Sequence, residues 1–256
     1  MHTISEIQGL LKQHINVARQ DNPMFFKTGP GEYAEHDKFL GVSVPVVHTV
    51  AKQYATLPLE EIHALLTSPY NEERLLALFI LVLQYGKADE MRKNELYQFY
   101  MTNIQYVNNW NLVDQSARDI MGAYLFEYDH DKDILVRLTH SDSIWERRIA
   151  IIATWYFIKK LDFMWTFKIA KLLLHDKHDL IHKAVGWMLR EVGNKDIAQM
   201  KNFLDEYAAH MPRTMLRYAI EKLPQDERLG YLKKGSPIMN KMNIGAKRSE
   251  KSFPTL

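Results

Sequence analysis

The chain contains no cysteine. That excludes disulfides, thiolate metal sites and cysteine nucleophiles, and it fits a reducing cytoplasm. Long apolar runs are also missing: none reaches the roughly 18 residues a membrane-spanning helix needs. The opening Met1-His2-Thr3-Ile4-Ser5-Glu6 lacks a charged segment followed by an apolar one, so no secretory leader is expected. Charge of one sign is scarce, with a formal net of +2. A case for nucleic-acid binding must therefore rest on where the cations lie rather than on their sum. Walker, GxGxxG, HExxH and GxSxG patterns are all absent, which removes the usual nucleotide, zinc-protease and serine-hydrolase signatures. What remains is ordinary for a globular protein: 256 residues, 46% hydrophobic and 25% charged, enough to bury a substantial core.

Strand-like alternation is nearly absent and helical periodicity dominates, with Gly and Pro mostly between the periodic segments. Roughly a dozen helices joined by short loops are expected. The first runs from about Ile4 to Arg19, with Ile4, Ile7, Leu11, Ile15 and Ala18 on one face. Asn71 reads as the N-cap of a helix through about Tyr85, Asp89 as that of Glu90–Asn103, and Ser143 as that of Ile144–Lys159, because such side chains accept from unpaired first-turn amides. Pro58 and Pro212 fall where helices begin, where a missing N–H costs little.

Laying the strongest helices over one another reveals a repeat. RLLALFI (Arg74–Ile80), QSARDIM (Gln115–Met121), RRIAIIA (Arg147–Ala153), HKAVGWM (His182–Met188) and LRYAIEK (Leu216–Lys222) share a small residue in one register. These are Ala77, Ala117, Ala150, Ala184 and Ala219, spaced by 40, 33, 34 and 35 residues. Helix pairs that cannot bury their apolar faces alone must stack, which predicts an all-α solenoid whose second helices line a concave face. Two segments break the pattern. Pro23–Phe39, with Gly29, Pro30 and Gly31, reads as a loop. The stretch 235–256 lacks periodicity and carries Lys241, Lys247, Arg248 and Lys251, so it reads as a flexible basic tail beyond a single domain over 1–234.

The stretch most suggestive of chemistry is Asn108-Asn109-Trp110-Asn111-Leu112-Val113-Asp114-Gln115. Four residues apart, Trp110 and Asp114 share a helix face, and a ring face beside a carboxylate suits a cationic partner. The same spacing also fits a packing Trp and a solvated Asp. In Trp145-Glu146-Arg147-Arg148 two adjacent arginines cannot point to one side, so one faces solvent or a ligand and the other a neighbouring helix. Arg is suited to forked bonding with phosphate. Trp187 follows Gly186, which is unfavourable inside a helix by about 1 kcal/mol against Ala. Close approach of a neighbouring helix or a ligand would explain that glycine. The histidines at 175, 178 and 182 sit around a turn, Lys177 and a capping Asp179, and do not read as a metal site.

Four segments in order, FFKTGPGEYAEHDKFLGVSVP (Phe25–Pro45), NNWNLVD (Asn108–Asp114), ERRIAIIATWYFIKK (Glu146–Lys160) and IHKAVGWMLREVG (Ile181–Gly193), resemble the AlkD-type DNA alkylation repair family. Its members are alkylpurine DNA glycosylases built from HEAT-like repeats. The resemblance implies a concave DNA-binding face with Asp114 as the catalytic carboxylate and Trp110 and Trp187 flanking the lesion. Arg148 would then lie near the DNA backbone, with Phe26, Lys27, Arg147 and Lys183 as further DNA contacts. It implies hydrolysis of the N-glycosidic bond of cationic N3- or N7-alkylated purines in duplex DNA, the first step of base-excision repair, by a monomer with no cofactor or metal. It also points to DNA held along an open surface with little need for base flipping. Asn111 departs from the family, standing where some relatives carry an acid, and Phe25-Phe26-Lys27 stands where some have a tyrosine. The alternative is a non-catalytic solenoid on the same scaffold, binding distorted DNA or an acidic protein partner.

Overall fold

The computed structural model describes residues 4–20, 26–128 and 131–234. Expectations placed on Pro23–Phe25 and on the tail from Gly235 lie outside them. The described residues are helical, with one isolated backbone bridge between Lys38 and Tyr70, and none of their helices is long and apolar enough to cross a membrane.

Two layers result. One holds α4 (Leu59–Leu66), α6 (Glu90–Thr102), α9 (Asp133–Thr139), α11 (Met164–Leu172), α13 (Ile197–Tyr207) and α15 (Gln225–Lys234). The other holds α5 (Asn71–Tyr85), α7 (Trp110–Ser116) with its continuation α8 (Ala123–Glu127), α10 (Ile144–Lys159), α12 (Asp179–Lys195) and α14 (Arg213–Ala219). Within this second layer α5 packs on α7, α7 on α10, α10 on α12 and α12 on α14, so successive pairs stack as a solenoid. α3 (Val44–Gln53) packs on α5, and α1 (Ile4–Lys12) packs on α3. The five register alanines fall one to each second-layer helix, Ala117 at the C-cap of α7, and all are buried. A methyl at that point is what lets the next helix come close.

Three sequence expectations are corrected. The first helix does not run through to Arg19. It stops at Lys12 and restarts as α2 (Val17–Gln20), because the Asn16 side chain accepts from the Ala18 amide and offers the backbone a local alternative. Ile15 is left 38% exposed. Asn71 is the first residue of α5, not its cap. The cap position is Tyr70, and the Asn71 amide is drawn instead to Asp37 and Asn111. Ser143 occupies the N-cap of α10 but makes no side-chain capping bond. Asp89 does cap α6, accepting from the Arg92 amide at 2.9 Å.

The QSARDIM segment is not one α-helix. Between α7 and α8 the backbone widens into a π-turn, Arg118–Gly122, in which the Gly122 amide bonds the Ala117 carbonyl five residues back. Such turns concentrate at functional sites. Here the turn presses Gly122 against α10, where a Cβ would lie 2.1 Å from the Ala153 carbonyl oxygen.

Candidate functional site

A cleft of about 720 Å³ opens along the second-layer helices. Trp110 comes from α7, Arg148 from α10, Leu180, Lys183, Trp187 and Arg190 from α12, and Tyr218 from α14. The opposite wall is the loop ahead of α3, through Lys27, Gly31, Glu32 and Tyr33; the turn before α12 adds Lys177 and His178, and Asp179 opens α12 itself. Five basic side chains face two acidic ones in this lining. Arg148, Lys183 and Arg190 are ion-paired with Asp114, Asp179 and Glu221, so the positive excess of the lining is small and rests on Lys27 and Lys177, the two positions that favour an anionic partner.

Asp114 does not itself line this cleft; it is bonded to Arg148, which does. The guanidinium takes both carboxylate oxygens, Nε to Oδ1 at 2.9 Å and Nη2 to Oδ2 at 2.8 Å, while Nη1 donates to the Leu180 carbonyl at 2.6 Å. The pair is largely buried, with side-chain exposures of 6% and 13% for Arg148 and Asp114. Of the five guanidinium N–H groups three are used in these bonds, leaving two for a further acceptor.

Both indoles line the cleft, each braced from behind. Trp110 stacks on Phe26 at 5.2 Å between centroids, and Phe26 in turn lies 4.5 Å from Phe39. Trp187 donates from Nε1 to Glu191 at 3.0 Å and meets Trp155 edge to face at 4.9 Å. Arg118 caps the other ring, 4.5 Å from the Trp155 centroid, and is held there by Asp119 of the π-turn. Gly186 beside Trp187 serves the approach of α14: a Cβ there would lie 2.4 Å from the Met215 carbonyl oxygen.

Among the remaining expected contacts, Lys27 and Lys183 line the cleft, Lys183 pairing with Asp179 at 2.7 Å. That bond raises the Lys183 ammonium above its ordinary value, so the cation persists well beyond neutral pH. Arg147 does not line the cleft. Its Nε bonds Asp176 at 2.7 Å and its Nη1 reaches the carbonyls of Ser141 and Asp142, so it fixes a turn. Asp179 is likewise not a cap. His178 is, with Nδ1 accepting from the Leu180 amide at 3.2 Å.

Lys177, Arg190, Tyr33 and Tyr218 were not singled out from sequence. Arg190 was legible there, since Lys183, Trp187 and Arg190 stand at intervals of four and three on one face of a helix. Also unforeseen was the buried polar cluster behind α7, where Asp37 accepts from Arg74, Asn71 and Asn109.

A neutral imidazole cap has a pH consequence. Burial, the largest influence, holds His178 below its ordinary value of 6.5. The unfolded chain therefore binds the extra proton more readily, and stability rises with pH across this window. The contribution is complete above about pH 6.5 and is lost as pH falls through the folded-state value. Melting temperature should drop between pH 7.5 and 5.5, and the drop should shrink in His178→Asn, which keeps a capping oxygen without a titrating ring. An unchanged pH dependence in that variant would contradict this assignment.

Comparison with known proteins gives the family and the fold. A family model described as DNA alkylation repair enzyme matches residues 7–223. No curated protein matches the chain. A solved structure described as a predicted DNA alkylation repair enzyme from Enterococcus faecalis is similar in fold at a TM-score of 0.61 and 17% identity, covering 80% of this chain and 98% of that one. With the family match running from α1 to the end of the stacked pairs, the chain belongs to the DNA alkylation repair enzyme family.

Proposed function

We propose that the protein is a DNA glycosylase that hydrolyses the N-glycosidic bond of cationic N3- or N7-alkylated purines in duplex DNA, on a HEAT-like scaffold acting as a monomer. The observation that carries the reading is the Arg148-held carboxylate of Asp114 beside a cleft flanked by Trp110 and Trp187. A purine alkylated at N3 or N7 is already positively charged and leaves as a neutral base without a protonating acid. The barrier lies in positive charge developing on the deoxyribose as the C1′–N bond lengthens. A fixed carboxylate opposite that charge lowers the barrier electrostatically and orients the attacking water. The indole faces favour the same cationic species. The two spare N–H groups of Arg148 suit a phosphate, and Lys27, Lys177, Lys183 and Arg190 set the register of the backbone.

The test is chromatography of free bases after incubating the protein with methylated duplex DNA. Release of 7-methylguanine and 3-methyladenine, leaving abasic sites, is expected; none at excess protein defeats the reading. The full carboxylate–guanidinium pairing of Asp114 favours a second reading, a DNA-binding solenoid in which that pair is purely structural. It predicts tight binding with no release. In either case binding should weaken steeply with salt, and Lys27→Ala with Lys177→Ala should reduce the slope of log K against log salt by about 2, near 0.9 per phosphate. An unchanged slope would place the DNA elsewhere.

A further inference from the structure

We infer that Asp37 and Asn109 are positioning residues that set where Trp110 and Asp114 stand, an inference that rests on the proposed glycosylase reading. α7 is the stretch of helix ahead of the π-turn at Arg118–Gly122, and its first turn stands on what it is bonded to at either end. At its C-terminal half the tie is Arg148 on Asp114. At its N-terminus the tie is a buried amide–carboxylate cluster with no other evident use.

Asn109 is fully buried and caps α7, its Oδ1 accepting from the Trp110 amide at 2.7 Å. Its Nδ2 donates to Asp37 Oδ2 at 2.6 Å. Asp37 is 6% exposed and also accepts from Asn71 at 3.2 Å and from the Arg74 guanidinium, which places its negative charge against a buried cation. On the other side of Trp110, Asn111 donates to Asn71 Oδ1 at 2.7 Å. Asn111 is thus pinned to the start of α5 directly, and Asn109 through Asp37. Asp37 also ends the turn that carries Lys27 and Tyr33, so one carboxylate fixes the two opposing walls of the cleft relative to each other. Asn111 belongs to this clamp. An amide there makes a neutral pair with Asn71, where a carboxylate would set a second negative charge close to Asp37.

A merely structural cap and a positioning clamp give different results in Asn109→Ser. Serine remains a good N-cap but cannot reach Asp37, whose charge keeps Arg74 and Asn71. The variant should stay folded, melting somewhat below the wild type because buried Asp37 loses one of its three partners, and bind methylated duplex with Kd changed less than about twofold. Its single-turnover rate of base release should fall about 10- to 100-fold, the cost of a small displacement at a reacting centre. Hydrogen exchange of the full chain should quicken over 109–116 while α10 and α12 stay protected. A wild-type release rate, or unchanged exchange over 109–116, overturns the inference. If the wild type itself releases no base, the glycosylase reading fails, and the exchange comparison still decides whether the clamp holds α7.

Discussion

Gly122→Ala is expected to lower the melting temperature by about 10 °C. The added methyl would sit 2.1 Å from the Ala153 carbonyl oxygen and 3.0 Å from both the Ala153 carbonyl carbon and the Tyr156 Cβ. These are backbone and near-backbone atoms, so relief requires α10 to move, at a cost of about 3 kcal/mol, the upper end for overpacking. At roughly 2–4 °C per kcal/mol for a chain of this size, a shift of that order follows. Gly186→Ala should behave similarly, its Cβ falling 2.4 Å from the Met215 carbonyl oxygen and 2.5 Å from the Tyr218 Cβ. Helix propensity alone predicts the opposite sign, since Ala outranks Gly by about 1 kcal/mol in a helix interior. Gly9 in α1 is the internal control: nothing lies within 4 Å of its built Cβ, so Gly9→Ala should be neutral or stabilising. Thermal melts of the three variants settle the point, and a stabilised Gly122→Ala would refute the close approach of α10.

The second large effect is on chemistry. Asp114→Asn should reduce the single-turnover rate of 7-methylguanine release by about 100- to 1,000-fold, the range seen when one fixed electrostatic partner of a transition state is removed. The amide is isosteric, but its oxygen accepts only one of the two Arg148 bonds while its NH2 faces the other donor. What it loses is the negative charge that the proposed mechanism sets against the sugar. Affinity for the same duplex should change little, because the phosphate-binding cations are untouched. The guanidinium is left with a weaker partner in a largely buried place. Some loss of stability is therefore expected, and the assay belongs well below the melting transition, with circular dichroism as control. Loss of binding in parallel with rate would mean that Asp114 serves the fold and not the reaction.

The stacked architecture was legible in the sequence because its cause is local. A small residue once per helix pair marks where the next pair packs, and the five alanines from Ala77 to Ala219 are all buried at those contacts. Cleft residues on long helices were legible for the same reason, as with Trp187 four residues after Lys183 on α12. Features governed by distant partners were not. Asn71 has the look of a cap, yet its amide is claimed by Asp37 and Asn111, residues 34 and 40 positions away. Arg147 and Arg148 are adjacent and chemically alike. Only the neighbouring helices decide that one fixes the Asp176 turn and the other holds Asp114. The π-turn at Arg118–Gly122 leaves no periodic signature, since it inserts one residue into an otherwise helical pattern.

The account depends most on charge: an anion held beside the cleft promotes departure of a base that is itself a cation. Wild-type protein in excess over a duplex carrying one 7-methylguanine, compared with the same duplex carrying the uncharged 7-deaza isostere, tests this directly. Free base should appear from the cationic lesion alone, leaving an abasic site. An intact strand in both reactions, or equal release from both, would contradict it.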